Sequence, residues 1–415
     1  MKKQKIIVSM LIAGGLASPL ANATNGYFSH GYGMKDIGMA GVGIALPQDA
    51  LAAATNPAGM VMVGNRADVG LDWFKPNRSA TFAGVAPAPV NGTYDGNGKS
   101  NFLMPDIGYN KMINSDMSLG ISVYGNGGMN TQYDVNPFAG LGAGTNPAGV
   151  NLEQLFISPT WAMKINPGNA VGVSLNLVRQ TFEAKGLQAF AGMSSNSAAL
   201  TNNGQDTSTG VGLKLGWTGE VTQAITLGAT YQPKTKMSKF SKYAGLFAEQ
   251  GGFDIPATYG VGMAMKATPE TTVAFDIQQI QYSGVASIAN TATAGGPLGA
   301  NNGAGFGWKD VTVFKLGASQ KMSSTMILRA GYSHNNQPIQ ASQTLFNILA
   351  PGVIQDHLTL GATFILADKS EVTVGYMHAF KKTVNGSNSV TPLLGMPGEA
   401  NLSMSEDSLG VSYGW

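Results

Sequence analysis

Residues 171–177 read Val-Gly-Val-Ser-Leu-Asn-Leu, an alternation of large apolar residues with small or polar ones. Side chains of a strand point alternately to its two faces, so this segment has one apolar and one polar face. The same period recurs from residue 66 to the end, for example at residues 211–217, 326–332 and 358–364. The pattern therefore predicts an all-β protein.

Three further features separate a membrane barrel from a soluble β-sandwich, which would show the same alternation. The alternating segments are about 10 residues long, longer than the usual strand of about 5–6 residues. Short and long connections alternate along the chain, which is typical of outer-membrane barrels. Aromatic residues recur near the segment ends, where interfacial girdles lie: Trp73, Trp161, Trp217, Tyr231, Trp308, Tyr332 and Trp415.

The resulting prediction is an all-β transmembrane barrel of 14 antiparallel strands. A sheet that spans hydrocarbon must close, because the lipid offers its backbone groups no hydrogen-bond partners. The predicted strands cover residues 66–74, 101–113, 117–132, 151–165, 170–185, 208–218, 224–235, 256–267, 271–283, 307–321, 325–335, 355–367, 371–382 and 401–415.

The composition excludes several other classes of protein. The chain has 415 residues, 43% of them hydrophobic and only 12% charged, against about 25% charged residues in soluble domains. It has no cysteine, so a disulfide scaffold or a Cys-ligated metal centre is excluded. Beyond the extreme N-terminus there is no apolar window of about 18–20 residues, which argues against a polytopic helical membrane protein.

Residues 1–23 are predicted to be a secretory signal peptide. Three lysines precede the apolar run of residues 6–17, and Ala21-Asn22-Ala23 forms a cleavage site. Cleavage would lower the Lys+Arg count from 25 to 22 against 23 acidic residues, so the net charge would change from +2 to −1. No basic surface for nucleic acid is therefore expected.

Residues 24–65 interrupt the strand period and are predicted to form a small, partly helical hatch that plugs the lumen of the barrel at 66–415. They are rich in Gly and Ala, and a short helix is predicted at residues 49–54 between two prolines. A barrel of this size is too wide for side chains alone to fill its interior. The alternative is a disordered periplasmic tail.

The sequence resembles the FadL-type outer-membrane transporters, which take up long-chain fatty acids or aromatic hydrocarbons. The resemblance begins with Asn25-Gly26-Tyr27-Phe28, the Gly/Ala-rich stretch at 38–49 and Asn56-Pro57-Ala58. It continues through residues 307–310, 333–339, 356–358 and 375–378, in the expected order. It implies an uptake channel for hydrophobic molecules, with long-chain fatty acids as the favoured cargo and aromatic or alkane hydrocarbons as the alternative. The sequence has no energy-coupling motif, so passive flow along the gradient is expected, and no cofactor or metal is expected.

The resemblance also implies where a ligand binds and how it leaves. Tyr27 and Phe28 are expected beside the ligand, and Asn56, Pro57 and Ala58 at the hatch gate. Arg179 and Lys309 are expected near its head group, with pairing to Glu183 and Asp310 as the alternative. Glycines inside a strand mark bulges or kinks, and a kink in the third strand would open a lateral gap lined by Gly125, Asn126, Gly127 and Gly128; an ordinary strand end is the alternative.

Two predicted outer loops are unusually apolar. The spacing of the residues in the second loop predicts a helical stripe, with lysines at 234, 236, 239 and 242 that could bind a carboxylate or lipopolysaccharide phosphates. In the resembling family these loops form the capture groove; packing of the loops against each other is the alternative. The protein is expected to act as a monomer in the outer membrane. The expected capture residues are Leu187, Phe190, Phe240, Tyr243, Leu246 and Phe247.

Enzymatic chemistry is not expected. The four histidines, His30, His334, His357 and His378, show no metal-ligand spacing. No G-x-S-x-G nucleophile motif is present either. A general diffusion porin is a less favoured alternative, because such a channel needs a charged constriction.

Overall fold

The structure is a computed structural model that describes residues 25–86, 89–142 and 144–415. The predicted signal peptide, residues 1–23, lies outside the described residues. In the described part of the chain, no helix is both long enough and apolar enough to span a membrane.

Fifteen strands form one antiparallel sheet in the described residues, and it closes where the last strand pairs with the first, from Asp68↔Gly414 to Ala83↔Glu399. The strands are β1 (Arg66–Ala83), β2 (Gly92–Asp95), β3 (Phe102–Met112), β4 (Met117–Asn130), β5 (Gly149–Asn166), β6 (Asn169–Lys185), β7 (Asp206–Glu220), β8 (Ile225–Gln232), β9 (Ala257–Lys266), β10 (Thr271–Gln281), β11 (Val311–Lys321), β12 (Met326–Asn335), β13 (Asp356–Ile365), β14 (Glu371–Val384) and β15 (Glu399–Gly414).

The barrel wall nevertheless has 14 positions, because β2 and β3 pair with successive halves of β1. We call the side of the barrel with the long loops its upper side. The upper half of β1, towards Ala83, pairs with β2 from Ser79↔Asp95 to Phe82↔Gly92, and the lower half pairs with β3. The predicted closed barrel of 14 antiparallel strands is confirmed. The first strand continues to Ala83, beyond the predicted end at 74. Its outward residues after Phe74 are polar, so the apolar period that marks a strand is absent there.

Short helices lie in the N-terminal segment and the long loops. The α-helices are α1 (Met34–Ile37), α2 (Ala52–Thr55), α3 (Ala248–Gly251), α4 (Ala286–Ala289) and α5 (Thr391–Leu394). The 3-10 helices are Pro57–Val61, Ala139–Leu141, Gln188–Met193, Ser197–Ala199, Ser241–Tyr243, Tyr282–Gly284, Ala341–Gln343 and Phe346–Ile348.

The alternation of the strands separates a lipid-facing surface from an interior. On β7, Val211, Leu213 and Leu215 are exposed on the outer face. Between them, Lys214 points inward and is buried. Much of the apolar content of the chain therefore covers the outside of the barrel rather than a central core.

Residues 25–65, called here the N-terminal segment, contact the inner face of the barrel on several sides. The amides of Gly43 and Ile44 donate to Asp276 on β10, at 2.9 and 3.1 Å. The amide of Ala40 donates to Thr359 on β13 at 2.8 Å. A Cβ added at Gly228 of β8 would lie 2.3 Å from the carbonyl oxygen of Ile44, so a strand glycine leaves room for this segment.

Candidate functional site

The start of the N-terminal segment lies in a cluster of aromatic rings. Tyr27 is fully buried, and its ring centroid lies 5.2 Å from that of Phe28 and 5.3 Å from that of Tyr282. The ring of Trp308 is 6.1 Å away. The amide of Tyr27 donates to the Tyr282 hydroxyl at 3.2 Å, which fixes the backbone of the segment to the end of β10.

The glycine-rich part of β4 contains a bulge. The register of β4 against β5 shifts between Gly125 and Gly127, so Asn126 is an extra residue. The N-terminal segment pairs with this bulge: the amide of Gly128 donates to the carbonyl of Tyr27 at 2.9 Å. A Cβ at Gly127 would lie 1.9 Å from that carbonyl oxygen, so only glycine fits. The structure thus brings together Tyr27 and the predicted gap residues.

Hydrogen bonding between β3 and β4 stops at the height of the bulge. The ladder ends at Ile107↔Val123, although β3 continues to pair with β1 as far as Phe102. Pairing across this seam resumes higher up at the bridge Asn97↔Gln132. We call the interval between these two points the wall gap. Pro105 pairs with Leu71 of β1 but lies where β3 has no partner on the β4 side, and a missing backbone donor is tolerated at such an edge.

A small apolar cavity opens among the long loops. Leu246 and Phe247, two of the predicted capture residues, line it. The other four predicted residues of this group are buried in the same apolar cluster without lining the cavity. The remaining lining residues are Val150, Phe182, Ser287, Leu298, Ala304, Gly305, Phe306, Phe346 and Leu349.

The predicted helical stripe of the second loop is wrong. Only the 3-10 turn Ser241–Tyr243 and α3 form there. The aromatic rings instead converge on Phe182 of β6, which lies 4.8 Å from Tyr243 and 4.6 Å from Phe247, centroid to centroid. Packing on this ring, rather than a continuous helix, explains the apolar spacing.

The structure does not place Arg179 or Lys309 at a site in the lumen. Arg179 shares the outer face of β6 with Leu175 and Leu177 and is exposed, since residues two positions apart in a strand point to the same face. Lys309 is exposed just before β11, while the preceding Trp308 fills the interior.

The carboxylates that were the alternative partners of Arg179 and Lys309 bind other residues. Glu183 forms an ion pair with Lys185 at 3.2 Å, and Asp310 accepts hydrogen bonds from the amide and hydroxyl of Ser283 at 2.8 and 3.0 Å. The basic residues of the interior are therefore not those that the sequence suggested.

Lys214 of β7 and Lys315 of β11 are the buried cations beside Phe28. Both line a small cavity under the aromatic cluster, together with Asp276. The Lys315 ammonium donates to the carbonyls of His30 and Gly41 at 3.1 and 3.2 Å, and that of Lys214 donates to the carbonyl of Ala54. Each lysine lies between two outward apolar residues of its strand, and this alternation in the sequence predicts that the lysine side chain points inward.

Asn56, Pro57 and Ala58 tie the N-terminal segment to the wall. The Asn56 side-chain amide donates to the carbonyls of Ile44, at 2.7 Å, and of Trp217 on β7, at 3.0 Å. Its oxygen accepts from the amide of Ala58 at 3.1 Å, at the start of the 3-10 helix Pro57–Val61. All three residues are buried, so the predicted gate residues act as one anchored turn.

Charged side chains hold the segment at its lower end. The Lys35 ammonium lies 2.5 Å from a Glu371 oxygen, and Arg66 bridges Glu371 and Asp68 at 2.9 and 2.7 Å. Burial raises the pKa of the Asp49 carboxyl to about 6, and the negative charge of Asp68 adds to this effect.

Comparisons with known proteins agree with this architecture. The sequence matches the family described as "Outer membrane protein transport protein (OMPP1/FadL/TodX)" over residues 17–413. A search of curated proteins finds no match. A FadL homologue of Pseudomonas aeruginosa is a similar solved structure, with 16% identity, 96% of this chain and 99% of that chain covered, and a TM-score of 0.71.

Two toluene transporters have the same fold. The Pseudomonas putida toluene transporter TodX is 19% identical, with 94% of this chain and 99% of that chain covered and a TM-score of 0.70. The Ralstonia pickettii toluene transporter TbuX is 17% identical, with 93% and 98% covered and a TM-score of 0.64. Because the family match spans nearly the whole sequence, this chain belongs to the OMPP1/FadL/TodX family of outer-membrane transport proteins for hydrophobic compounds.

Proposed function

We propose that this protein is a passive uptake channel whose cargo is long-chain fatty acids. Its family is one of transport channels rather than enzymes. The observation that carries the proposal is a single cluster of buried apolar side chains. It runs from Phe247 and Phe346 at the loop cavity to Tyr27 and Phe28, and on to Met129 beside the wall gap. Such a path suits an apolar molecule better than an ion.

Capture occurs at the loop cavity in this proposal. Its lining is almost entirely apolar, and Leu246 and Phe247 form part of it. The lysines at 234, 236, 239 and 242 are exposed on the adjoining loop. They are placed to attract carboxylates, and they could equally contact lipopolysaccharide phosphates around a monomeric barrel.

Release proceeds sideways through the wall gap. The bulge at Gly125–Gly128 is covered from inside by Tyr27 and Phe28, so a movement of the N-terminal segment would uncover it. The anchored turn at Asn56–Ala58 is the proposed gate that limits this movement. Residues 24–65 thus act as a hatch, and the cargo enters the outer leaflet without crossing a water-filled pore.

Lys214 and Lys315 support a carboxylate cargo. They are the interior cations that line the cavity beneath Phe28, and a carboxylate in a buried site needs a charged partner. Aromatic hydrocarbons need no such partner. They remain the second candidate, which the likeness in fold to two toluene transporters favours.

Uptake measurements separate these cargoes. A deletion strain without paralogues should lose growth on oleate and regain it with the intact gene. The double variant Lys214→Met/Lys315→Met should lower oleate uptake roughly tenfold, the equivalent of about 1.4 kcal/mol of lost binding. Toluene uptake should not change.

Lys266→Met, at an exposed lysine on β9, is the matched control and should behave as wild type. Unchanged oleate uptake in the deletion strain would contradict the fatty-acid proposal. A toluene uptake that falls together with oleate uptake would show that the two lysines support the channel rather than the head group.

A further inference from the structure

Arg78 joins the two sides of the wall gap at its upper end. It lies on the inner face of β1 and is only 1% exposed. Its guanidinium donates to the backbone carbonyl of Lys99, on the β2–β3 side, and to that of Asn130, at the end of β4. A further hydrogen bond of 3.1 Å reaches the Asn130 side-chain oxygen. One side chain therefore spans the seam that the β3–β4 ladder leaves open.

Backbone hydrogen bonds of Arg78 also help to form the upper end of the wall gap. Its amide donates to the side-chain oxygen of Asn97 at 2.8 Å, and its carbonyl accepts from the amide of Gly96 at 3.0 Å. Asn97 forms the bridge with Gln132 that closes the wall gap from above. The upper end of the gap is thus built around Arg78.

A buried carboxylate lies beside Arg78 without contacting it. Glu406 is on β15, the other neighbour of β1; Pro76 pairs with Glu406 and Arg78 with Met404, so Arg78 and Glu406 are diagonal on the inner face. Glu406 is fully buried. Among the described residues, neither of its carboxylate oxygens has a hydrogen-bond partner, and neither does Nε of Arg78.

The lack of a hydrogen-bond partner for Glu406 is energetically unfavourable. A buried carboxylate without a partner is costly, and an arginine within diagonal reach on the next strand could relieve that cost. Arg78 instead uses its donors on the two carbonyls at the gap. The same guanidinium thus has two sets of acceptors on opposite sides of β1, and it cannot satisfy both together.

We infer that Arg78 is the positioning residue of the wall gap and that Glu406 is its partner when the gap opens. In the closed arrangement the guanidinium holds Lys99 and Asn130 together. In the open arrangement it turns to Glu406, which releases both edges and gives the Glu406 carboxyl the partner that it lacks. The inference rests on the proposed lateral release, since it concerns the exit that this release would use.

Cysteine labelling can test the inference without measuring transport. The chain has no native cysteine, so Met129→Cys gives a single thiol at a buried position that lines a small cavity with Arg78 and Asn130. The rate of its reaction with a membrane-permeant maleimide reports opening. Ser118→Cys, also buried and on the same strand near its other end, is the control thiol.

Two substitutions should move the rate in opposite directions. Arg78→Ala should speed labelling at position 129 by about tenfold or more, because hydrogen bonds to a charged group are lost. Glu406→Gln should slow it, because an amide is a weaker partner for the guanidinium than a carboxyl group that can ionise, so the open arrangement is less stable. Glu399→Gln, at an exposed residue of the same strand, should leave the rate unchanged.

An unchanged rate with Glu406→Gln, or with Arg78→Ala, would overturn the inference. If Arg78→Ala also speeds labelling at position 118, the whole barrel has loosened. In that case the milder variants Arg78→Lys and Glu406→Gln decide whether Arg78 holds the gap closed. A lysine cannot span two carbonyls as a guanidinium does, so Arg78→Lys should still speed labelling at position 129. If oleate uptake is unchanged in the deletion strain while the labelling rates change as expected, the fatty-acid cargo is refuted and the role of Arg78 stands.

Discussion

At the scale of single residues, Gly127 connects the N-terminal segment to the barrel wall. Gly127→Ala should displace Tyr27, because the added Cβ would lie 1.9 Å from its carbonyl oxygen, and overpacking of this kind costs about 1–3 kcal/mol. The amides of Gly128 and Ser29, which are bonded across this contact, should exchange their hydrogens faster. Hydrogen exchange with mass spectrometry measures this.

Gly192→Ala is the control for this substitution, since a Cβ there would meet no atom within 4 Å. Equal exchange in Gly127→Ala and wild type around residues 25–30 would contradict the predicted displacement. Faster exchange throughout the barrel would show general destabilisation instead.

The interior charges show how far single residues can be predicted. The alternation of β7 and β11 assigns Lys214 and Lys315 to the inner face, but resemblance to a family directed attention to Arg179 and Lys309. A transfer of roles by sequence order fails when the register is off by one, because every side chain then changes face. The unpaired Glu406 could not be predicted, since its contacts come from distant parts of the chain.

At the scale of elements, the bulge of β4 sets the course of the strand beside the wall gap. Deletion of Asn126 removes the extra residue between Gly125 and Gly127 and should allow a regular ladder with β5. The straightened strand should extend its pairing with β3 above Val123, and oleate uptake should fall to the level of the deletion strain. Uptake assays in cells with equal amounts of folded barrel measure this.

Asn126→Ala is the matched control, because it keeps the extra residue and removes only the side-chain bonds to Gln154 and Tyr32. It should retain most of the uptake. Full uptake in the deletion variant would show that the cargo does not use the wall gap.

At the scale of the whole molecule, we expect the N-terminal segment to close the barrel to ions. The full-length protein should show no stable ion conductance in planar bilayers, because residues 25–65 contact β10, β13 and β7 inside the barrel. A variant that lacks residues 30–60 should conduct ions steadily. A large, stable conductance of the intact protein would instead favour a general diffusion porin.

The deletion variant needs a check that its barrel has folded. Heat-modifiable migration on gels, compared with the full-length chain, supplies this check. A folded deletion variant that remains non-conducting would show that the loop residues, rather than the N-terminal segment, close the channel.

The sequence by itself determined the closed barrel, its 14 wall positions and the approximate course of most strands, because a side-chain period of two is a local property that lipid exposure makes strong. It missed the second half of β1 and the short strand β2 beside it, where the apolar period is absent. Strand glycines such as Gly228 make room for the backbone of the N-terminal segment, which a local pattern does not reveal. The tertiary structure alone decided which inward cations line the cavity beneath Phe28, where the β3–β4 ladder stops, and that Arg78 lies between Glu406 and the gap. These features depend on register and on contacts between residues far apart in the chain, which a local pattern does not encode.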